Sequence, residues 1–258
     1  MSVEIHPTAI VDSHAALEEG VKIGPYSQVG PDVHLGKGVI IDSNVIIDGN
    51  TSIGKNCHIF HSSVIGMAPQ DLKYKGEPTL TVIDSNTIIR EFVTVHRSTS
   101  LEHPTRIGKN CLLMAYVHVA HDCQIDDNVI LANCVNLSGH IRIEHHASIG
   151  GMTPVHQFVK IGCFAFVGGL SRVTKDIAPY TLGAGSPYKT YSLNIVGLKR
   201  NNFSQETIAR LKKVVKVFYY SHLNTSQAVN KIKTTIELTP EIQHFLEFVS
   251  ASKRGIAK

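Results

Sequence analysis

Residues 107–125 read I-G-K-N-C-L-L-M-A-Y-V-H-V-A-H-D-C-Q-I, with Ile107, Leu113, Val119 and Ile125 six apart. A period of six is neither the 3.6 of a helix nor the 2 of an open strand. It fits a β-solenoid, where each hexad supplies one short strand and one corner. Working outward in both directions, the same phase runs from Ile5 to Val173. Of 29 successive six-residue positions, 27 are Ile, Leu or Val, Asp71 and Glu77 being the exceptions. Chance cannot produce this, so the leading aliphatic is assigned to the interior of a parallel β-helix. Three hexads close one triangular coil, and hexads 18 residues apart share a face. The fifth position is small or β-branched (Ala9, Ser27, Cys57, Cys111, Val117, Cys123, Ala147), as packing beside a corner requires. Gly, Asn and Asp serve the corners because they tolerate positive φ.

The repeat lapses twice, at about 67–80 (M-A-P-Q-D-L-K-Y-K-G-E-P-T-L) and about 98–106, both read as excursion loops. A loop leaving a regular solenoid tends to carry function. The expected organisation is a mainly β domain over 1-178, then a linker containing Gly183, Gly185 and Pro187, then a C-terminal α-helical domain, together spanning 179-258. Three helices are expected in that domain: Ser204 as N-cap of one to about Tyr220, then 225–238, then 240 to about 252.

Composition narrows the setting. The 258 residues hold no apolar run long enough to span a bilayer and no secretion signal. Five scattered cysteines without CxxC spacing indicate packing residues in a reducing compartment, hence a cytoplasmic protein. Residues 1–178 carry 13 Lys/Arg against 17 Asp/Glu, net −4, and residues 179–258 carry 12 against 4, net +8. A basic helical tail on an acidic prism expects an anionic partner. Nucleic acid is the weaker candidate, because no aromatic interleaving or binding motif accompanies the charge.

The period also places the histidines. His121, His140 and His156 fall in the hexads starting at Val119, Leu137 and Val155, which are 18 apart. They therefore stack along one edge, and His118 reaches the corner just before it. The same arithmetic leaves out His14, His34, His58, His61, His96, His103, His145 and His146, and His222 and His244 in the tail; all are expected to be surface or structural. The cluster has three chemical readings: a general base, since unperturbed His titrates near neutrality and Asp122 adjoins His121; a zinc site like that of the hexapeptide-repeat carbonic anhydrases; or histidines that only donate to main-chain carbonyls.

The segments H-V-A-H-D-C (118–123), L-S-G-H (137–140), I-G-G-M-T-P-V-H-Q-F (149–158), Q-D-L-K-Y-K-G-E-P-T (70–79) and N-I-V-G-L-K-R (194–200) together resemble the bacterial UDP-N-acetylglucosamine acyltransferase family. The resemblance covers the whole chain. It implies a left-handed β-helix and a homotrimer with active sites between neighbouring prisms. It implies transfer of a (3R)-3-hydroxyacyl chain from acyl carrier protein to the sugar 3-hydroxyl of UDP-N-acetylglucosamine, the first step of lipid A biosynthesis. On this pattern His121 is the general base, Asp122 its support and the Gly139 N–H the oxyanion donor. His118, His140, His156 and Gln157 hold sugar, phosphates or donor, and Asp71 and Lys73 reach the sugar nucleotide from the neighbouring subunit. Asn194 and Arg200 bind nucleotide or phosphopantetheine, and Gly169 is the acyl-chain ruler. Neither metal nor resident cofactor is implied, the donor travelling on the phosphopantetheine of acyl carrier protein. Two positions depart from the family pattern: Val196, where relatives carry an acid, and Asn201, where a second arginine often follows Arg200. Two alternatives remain: N-acyl transfer to a 3-amino sugar nucleotide, and a zinc-dependent lyase on the same prism.

Overall fold

The computed structural model describes residues 2–258. The leading aliphatics form the core, Leu113, Val119, Ile125, Leu131, Leu137 and Ile143 being all but inaccessible to solvent. Each sits at the end of a strand mostly two residues long, such as Leu112–Leu113, His118–Val119 and Gln124–Ile125. A two-residue strand has no stability by itself. Its main-chain groups are satisfied by the coils on either side, as where Ala120 N–H donates to Leu137 O and Met114 N–H to Leu131 O. The strands collect into three parallel sheets, the faces of a left-handed parallel β-helix. The first sheet contains Leu112–Leu113, the second His118–Val119 and the third Gln124–Ile125.

Register is 18 residues per coil where the repeat is unbroken, as in Leu113↔Leu131 and Val119↔Leu137. Across the first lapse Ile59 pairs with Ile89, 30 residues on, and across the second Val95 pairs with Val119, 24 on. The loops therefore add twelve and six residues to a coil, both whole hexads, which is why the six-residue count passes through them unbroken. Leu101, counted in that series, lies in the second loop with 69 % of its surface exposed, so its agreement in phase is accidental.

Corners place their fourth residue in the left-handed region. Asn56, Asn86, Asn110 and Asn128 are there, and Asn56 and Asn86 each donate an amide hydrogen bond to the next asparagine in that column. Asp122 agrees as well, but expectation differs from outcome at other corners, where Phe92, Tyr116, His140, Phe158 and Phe164 take the same positive φ. Most of these amides are held from the coil below, as where His140 N–H donates to His121 O and Phe158 N–H to Gly139 O. The fifth-position thiols pack as expected: Cys57, Cys111 and Cys123 are buried and donate to carbonyls of Asp84, Asp126 and Ser138. Burial pushes their pKa up to about 11, 11 and 12, which removes them from thiolate chemistry.

The segment after Pro179 is more ordered than a linker. Thr181–Ala184 adds parallel to the first sheet and Lys189–Leu193 turns back antiparallel, closing the prism end. Four helices follow, one more than expected: α1 (Ile195–Arg200), α2 (Gln205–Tyr220), α3 (Thr225–Thr235) and α4 (Pro240–Ser250). Ser204 caps α2 through Thr207 N–H, as its sequence position suggests, and Asn224 with Gln227 forms a capping box on α3. Leu211, Val214 and Phe218 of α2 meet Ile242 and Phe245 of α4 in a second core against Phe164 and Tyr180 of the prism end. No helix among the described residues is long and apolar enough to cross a membrane.

Candidate active site

The corner between the second and third sheets carries the chemistry. His121 and Asp122 turn there immediately after Val119, and Gly139 and His140 occupy the same corner one coil on. His121 Nδ1 lies 2.7 Å from Asp122 Oδ2, and the two side chains are only 13 % and 8 % exposed. His140 Nε2 is 3.6 Å from the same carboxylate oxygen. The His121 and His140 rings meet edge to face at 5.1 Å, and His140 stacks on Phe158 at 4.6 Å. The carboxylate is fixed from the other side by the second loop. Thr99 N–H donates to Oδ1 at 3.0 Å, Thr99 Oγ1–H to Oδ2 at 2.7 Å, and the Asp122 amide to Thr105 Oγ1 at 2.8 Å. Burial raises the Asp122 pKa, but the His121 bond and the two Thr99 bonds outweigh it and hold the carboxyl below its ordinary value. Asp122 is thus an ionised acceptor, which keeps a proton on His121 Nδ1 and leaves Nε2 as the basic atom. Among the described residues Nε2 has no hydrogen-bond partner. Gly139 lies against this ring: a Cβ there would come within 2.5 Å of His121 Cε1 and 2.7 Å of Nε2. Its N–H makes no hydrogen bond among the described residues.

His118 is placed differently from expectation. It belongs to the strand His118–Val119, not to the corner, and its Nδ1 sits 2.7 Å from Thr94 Oγ1. Its ring meets that of His96 edge to face at 4.9 Å. His96, left out of the cluster by the sequence arithmetic, is therefore part of it. It is 7 % exposed and its Nδ1 has no partner. Burial, then the charges of His118 and His121, bring its pKa down to about 4, so it is neutral wherever the base works. Burial likewise lowers His118, with His121 the second cause. The signal missed was loop length: Val95 stands 24, not 18, residues before Val119, and pairing through the loop restores the column. Thr99 had no signal of its own, since a threonine in a polar loop announces no partner.

Other expected site residues lie apart. His156 and Gln157 stand one coil beyond Gly139, both exposed, and the His156 ring bonds only the Gln157 carbonyl. Asp71 and Lys73 share a turn in the first loop, where Lys73 N–H donates to Asp71 Oδ1, with no bond to the histidines. That loop is pinned to the prism by Arg97, which donates to Tyr74 Oη and Gly66 O. Asn194 and Arg200 border a cleft of about 480 Å3 on the first sheet, with Phe164, Phe166, Val196 and Asn201. The corner of His121 is the vertex opposite that sheet. Asn194 is also occupied locally: its Oδ1 caps α1 through Gly197 N–H and its Nδ2 donates to Phe164 O. Gly169 stands exposed at the third corner, between the first and second sheets, beside exposed Leu170 and Met152.

His121, Asp122 and His140 place one donor atom each within 4.8 Å of one another, a spacing a metal ion could use. Asp122 already accepts from Thr99 at both oxygens, so the arrangement favours the orientation of a base over ligation.

Comparison with known proteins agrees along the whole chain. Residues 176–257 match the family model described as UDP-N-acetylglucosamine O-acyltransferase, domain 2, and residues 14–49 and 104–139 match the bacterial transferase hexapeptide repeat. The acyl-[acyl-carrier-protein]–UDP-N-acetylglucosamine O-acyltransferase of Thermodesulfovibrio yellowstonii is 47 % identical over 256 residues, covering 99 % of both chains. That of a Sulfurihydrogenibium species is 51 % identical, covering 99 % of this chain and 94 % of the other. Among solved structures, LpxA from Acinetobacter baumannii superposes with a TM-score of 0.95 at 40 % identity, covering 98 % of this chain and 99 % of the other. The UDP-N-acetylglucosamine acyltransferase of Bacteroides fragilis gives 0.96 at 37 %, with the same coverage. Full-length identity, shared architecture and matching family models lead to one conclusion: the chain belongs to the acyl-[acyl-carrier-protein]–UDP-N-acetylglucosamine O-acyltransferase family.

Proposed function

We propose that the chain transfers a (3R)-3-hydroxyacyl group from the phosphopantetheine thioester of acyl carrier protein to the 3-hydroxyl of UDP-N-acetylglucosamine, the first step of lipid A biosynthesis, with His121 as general base. The observation that carries this is the 2.7 Å His121–Asp122 pair, which leaves Nε2 unpartnered on the side where Gly139 packs against the ring. His121 Nε2 takes the hydroxyl proton as the sugar oxygen attacks the thioester carbonyl carbon. The new C–O bond places negative charge on the former carbonyl oxygen, where the Gly139 N–H donates. Collapse breaks the C–S bond, and the proton on His121 passes to the departing pantetheine thiolate. Asp122 stabilises the imidazolium in between. No metal and no resident cofactor enters this sequence.

His118, His140, His156 and Gln157 are assigned to sugar, phosphates or donor. Asn194 and Arg200 are assigned to nucleotide or phosphopantetheine, in a cleft that has Val196 and Asn201 on its wall. Because that cleft lies on the sheet opposite the His121 corner, and Gly169 lies at a different corner, one prism cannot present all of them to one substrate. A homotrimer that sets a corner of one prism against a face of the next supplies the missing parts, with Asp71 and Lys73 reaching across. The net charge of +8 on residues 179–258 suits the acidic carrier protein. The site would work in the cytoplasm.

Wild type and His121→Ala, each given 3-hydroxyacyl carrier proteins of graded chain length with UDP-N-acetylglucosamine, are followed by mass for acylated sugar nucleotide. Product from wild type alone is the expected result. No product with any donor, but product with the 3-amino sugar nucleotide, would replace the hydroxyl by an amine as nucleophile.

A further inference from the structure

A second group of chemically apt side chains lies away from the His121 corner, where the prism meets the helical domain. Glu144 and Cys163 stand on successive coils at the corner that leads from the third sheet to the first, and His244 projects onto them from α4. Glu144 Oε2 is 2.8 Å from His244 Nε2 and accepts from the Cys163 amide at 2.9 Å. One donor atom from each of the three residues lies within 4.8 Å of the others. Apart from His121, Asp122 and His140, no other His/Cys/Asp/Glu group among the described residues converges in this way.

Cys163 is not placed like the other buried cysteines. Those occupy the fifth position of a hexad and give their thiols to carbonyls of the next coil. Cys163 is third in its hexad, 1 % exposed, and its sulfur faces His244 and the Tyr180 hydroxyl. Glu144 has a routine task as well, since Glu18 and Asp127 cap the equivalent amides of Lys37 and Lys109. That capping bond fixes Oε2 in space before His244 arrives. Aromatic side chains close the surroundings, Phe164 stacking towards Tyr180 and Tyr180 meeting His244 edge on at 6.4 Å.

We propose that Glu144, Cys163 and His244 form a structural site for one divalent ion of the zinc class, which pins α4 to the prism. Thiolate, imidazole and carboxylate are the zinc donor types, with bonds of about 2.0–2.3 Å. Donors on one tetrahedral ion then lie about 3.3–3.8 Å apart, so the 2.8 Å Glu144–His244 contact must open slightly and the Cys163 sulfur, within 4.8 Å of both, must come into the same range. His244 remains 37 % exposed, leaving a path for the ion and room for a water as fourth ligand. One thiolate and one carboxylate together balance the charge of one divalent ion, with any displaced protons released to solvent, so binding would leave no net charge in a largely buried place. The site stands apart from the proposed reaction, which uses no metal.

Full-length protein stripped with chelator is titrated with cobalt(II), which reports sulfur ligation by a thiolate-to-metal charge-transfer band and tetrahedral geometry by intense visible bands. The expected result is one cobalt per chain with both signatures, lost in Cys163→Ser and in His244→Gln and kept in His121→Ala, together with a rise of several degrees in Tm on adding zinc to wild type. Two variants are used so that a folding defect in one leaves the other decisive. No charge-transfer band in wild type, or a band surviving Cys163→Ser, overturns the proposal and leaves the cluster as an ion pair. Uptake abolished by His121→Ala would transfer the metal to the catalytic corner and overturn it equally.

Discussion

The proton inventory of the site is set by three histidines in three degrees of burial. His121 has an ionised carboxylate on one nitrogen and open space at the other, whereas His96 is sealed and His118 half-buried. His121→Ala is expected to lower kcat by about 10²- to 10⁴-fold, with the Tm unchanged because the ring carries no part of the core. Thr99→Val removes the hydroxyl that holds Asp122 Oδ2. It should lower kcat several-fold with little change in KM, since it disturbs the orientation of the base and not the binding of the sugar. His96 gives a test by pH. Its folded pKa is about 4 against an ordinary 6.5, so the unfolded chain binds a proton that the folded chain refuses. The penalty is absent above the unfolded value and grows as pH falls from about 6.5 towards 4, reaching about 2 kcal/mol at pH 5. His96→Gln should therefore lose less stability than wild type between pH 7 and pH 5 in thermal melts. At this scale the sequence was most legible where the repeat was unbroken. His121 and His140 follow from counting, Asp122 from adjoining His121 and Gly139 from the family resemblance, while His96 and Thr99 depend on a loop that stretches the 18-residue interval to 24.

Among the elements, each coil contributes stability through its inward aliphatics and the loops contribute function. Leu131 is fully buried between coils, so Leu131→Asp should leave no soluble folded protein, and Leu131→Ala should cost about 2–5 kcal/mol in denaturant unfolding. The second loop allows a cleaner separation. Removing Thr99–Pro104 joins Ser98 to Thr105 and turns the interval from Val95 to Ile107 into an ordinary hexad, with Thr105 in the small fifth position. The shortened protein should keep its circular dichroism and melt within a few degrees of wild type. It should lose most of its transfer activity, because Asp122 is then without Thr99. A collapsed fold would show that the loop serves the prism, not the site. The helical tail was less legible than the prism. Its helices announce themselves by caps such as Ser204, but the hairpin 181–193 does not, because Gly183, Gly185 and Pro187 read equally as linker and as turn.

For the whole molecule, the residues expected to act together are distributed over two corners, a face and a loop of one prism. The corner between the first and second sheets exposes Phe92, Tyr116, Met152 and Leu170 in a column, an apolar stripe that a soluble monomer rarely leaves uncovered. Light scattering should give the mass of three chains. Tyr116→Glu combined with Met152→Glu should release monomers that retain the melting of the prism and have lost transfer activity. An active monomer would refute a shared site. Finally, coils joined edge to edge along their whole length have nowhere to bend. A wall of this kind holds its groups at fixed separations and cannot fold over what it binds. Any closing motion is left to the parts that depart from the prism: the 67–80 loop on its Arg97 tether, the short 98–106 loop and the helical domain. Substrate preference can therefore drift by changes in those three while the wall that positions the base keeps its shape.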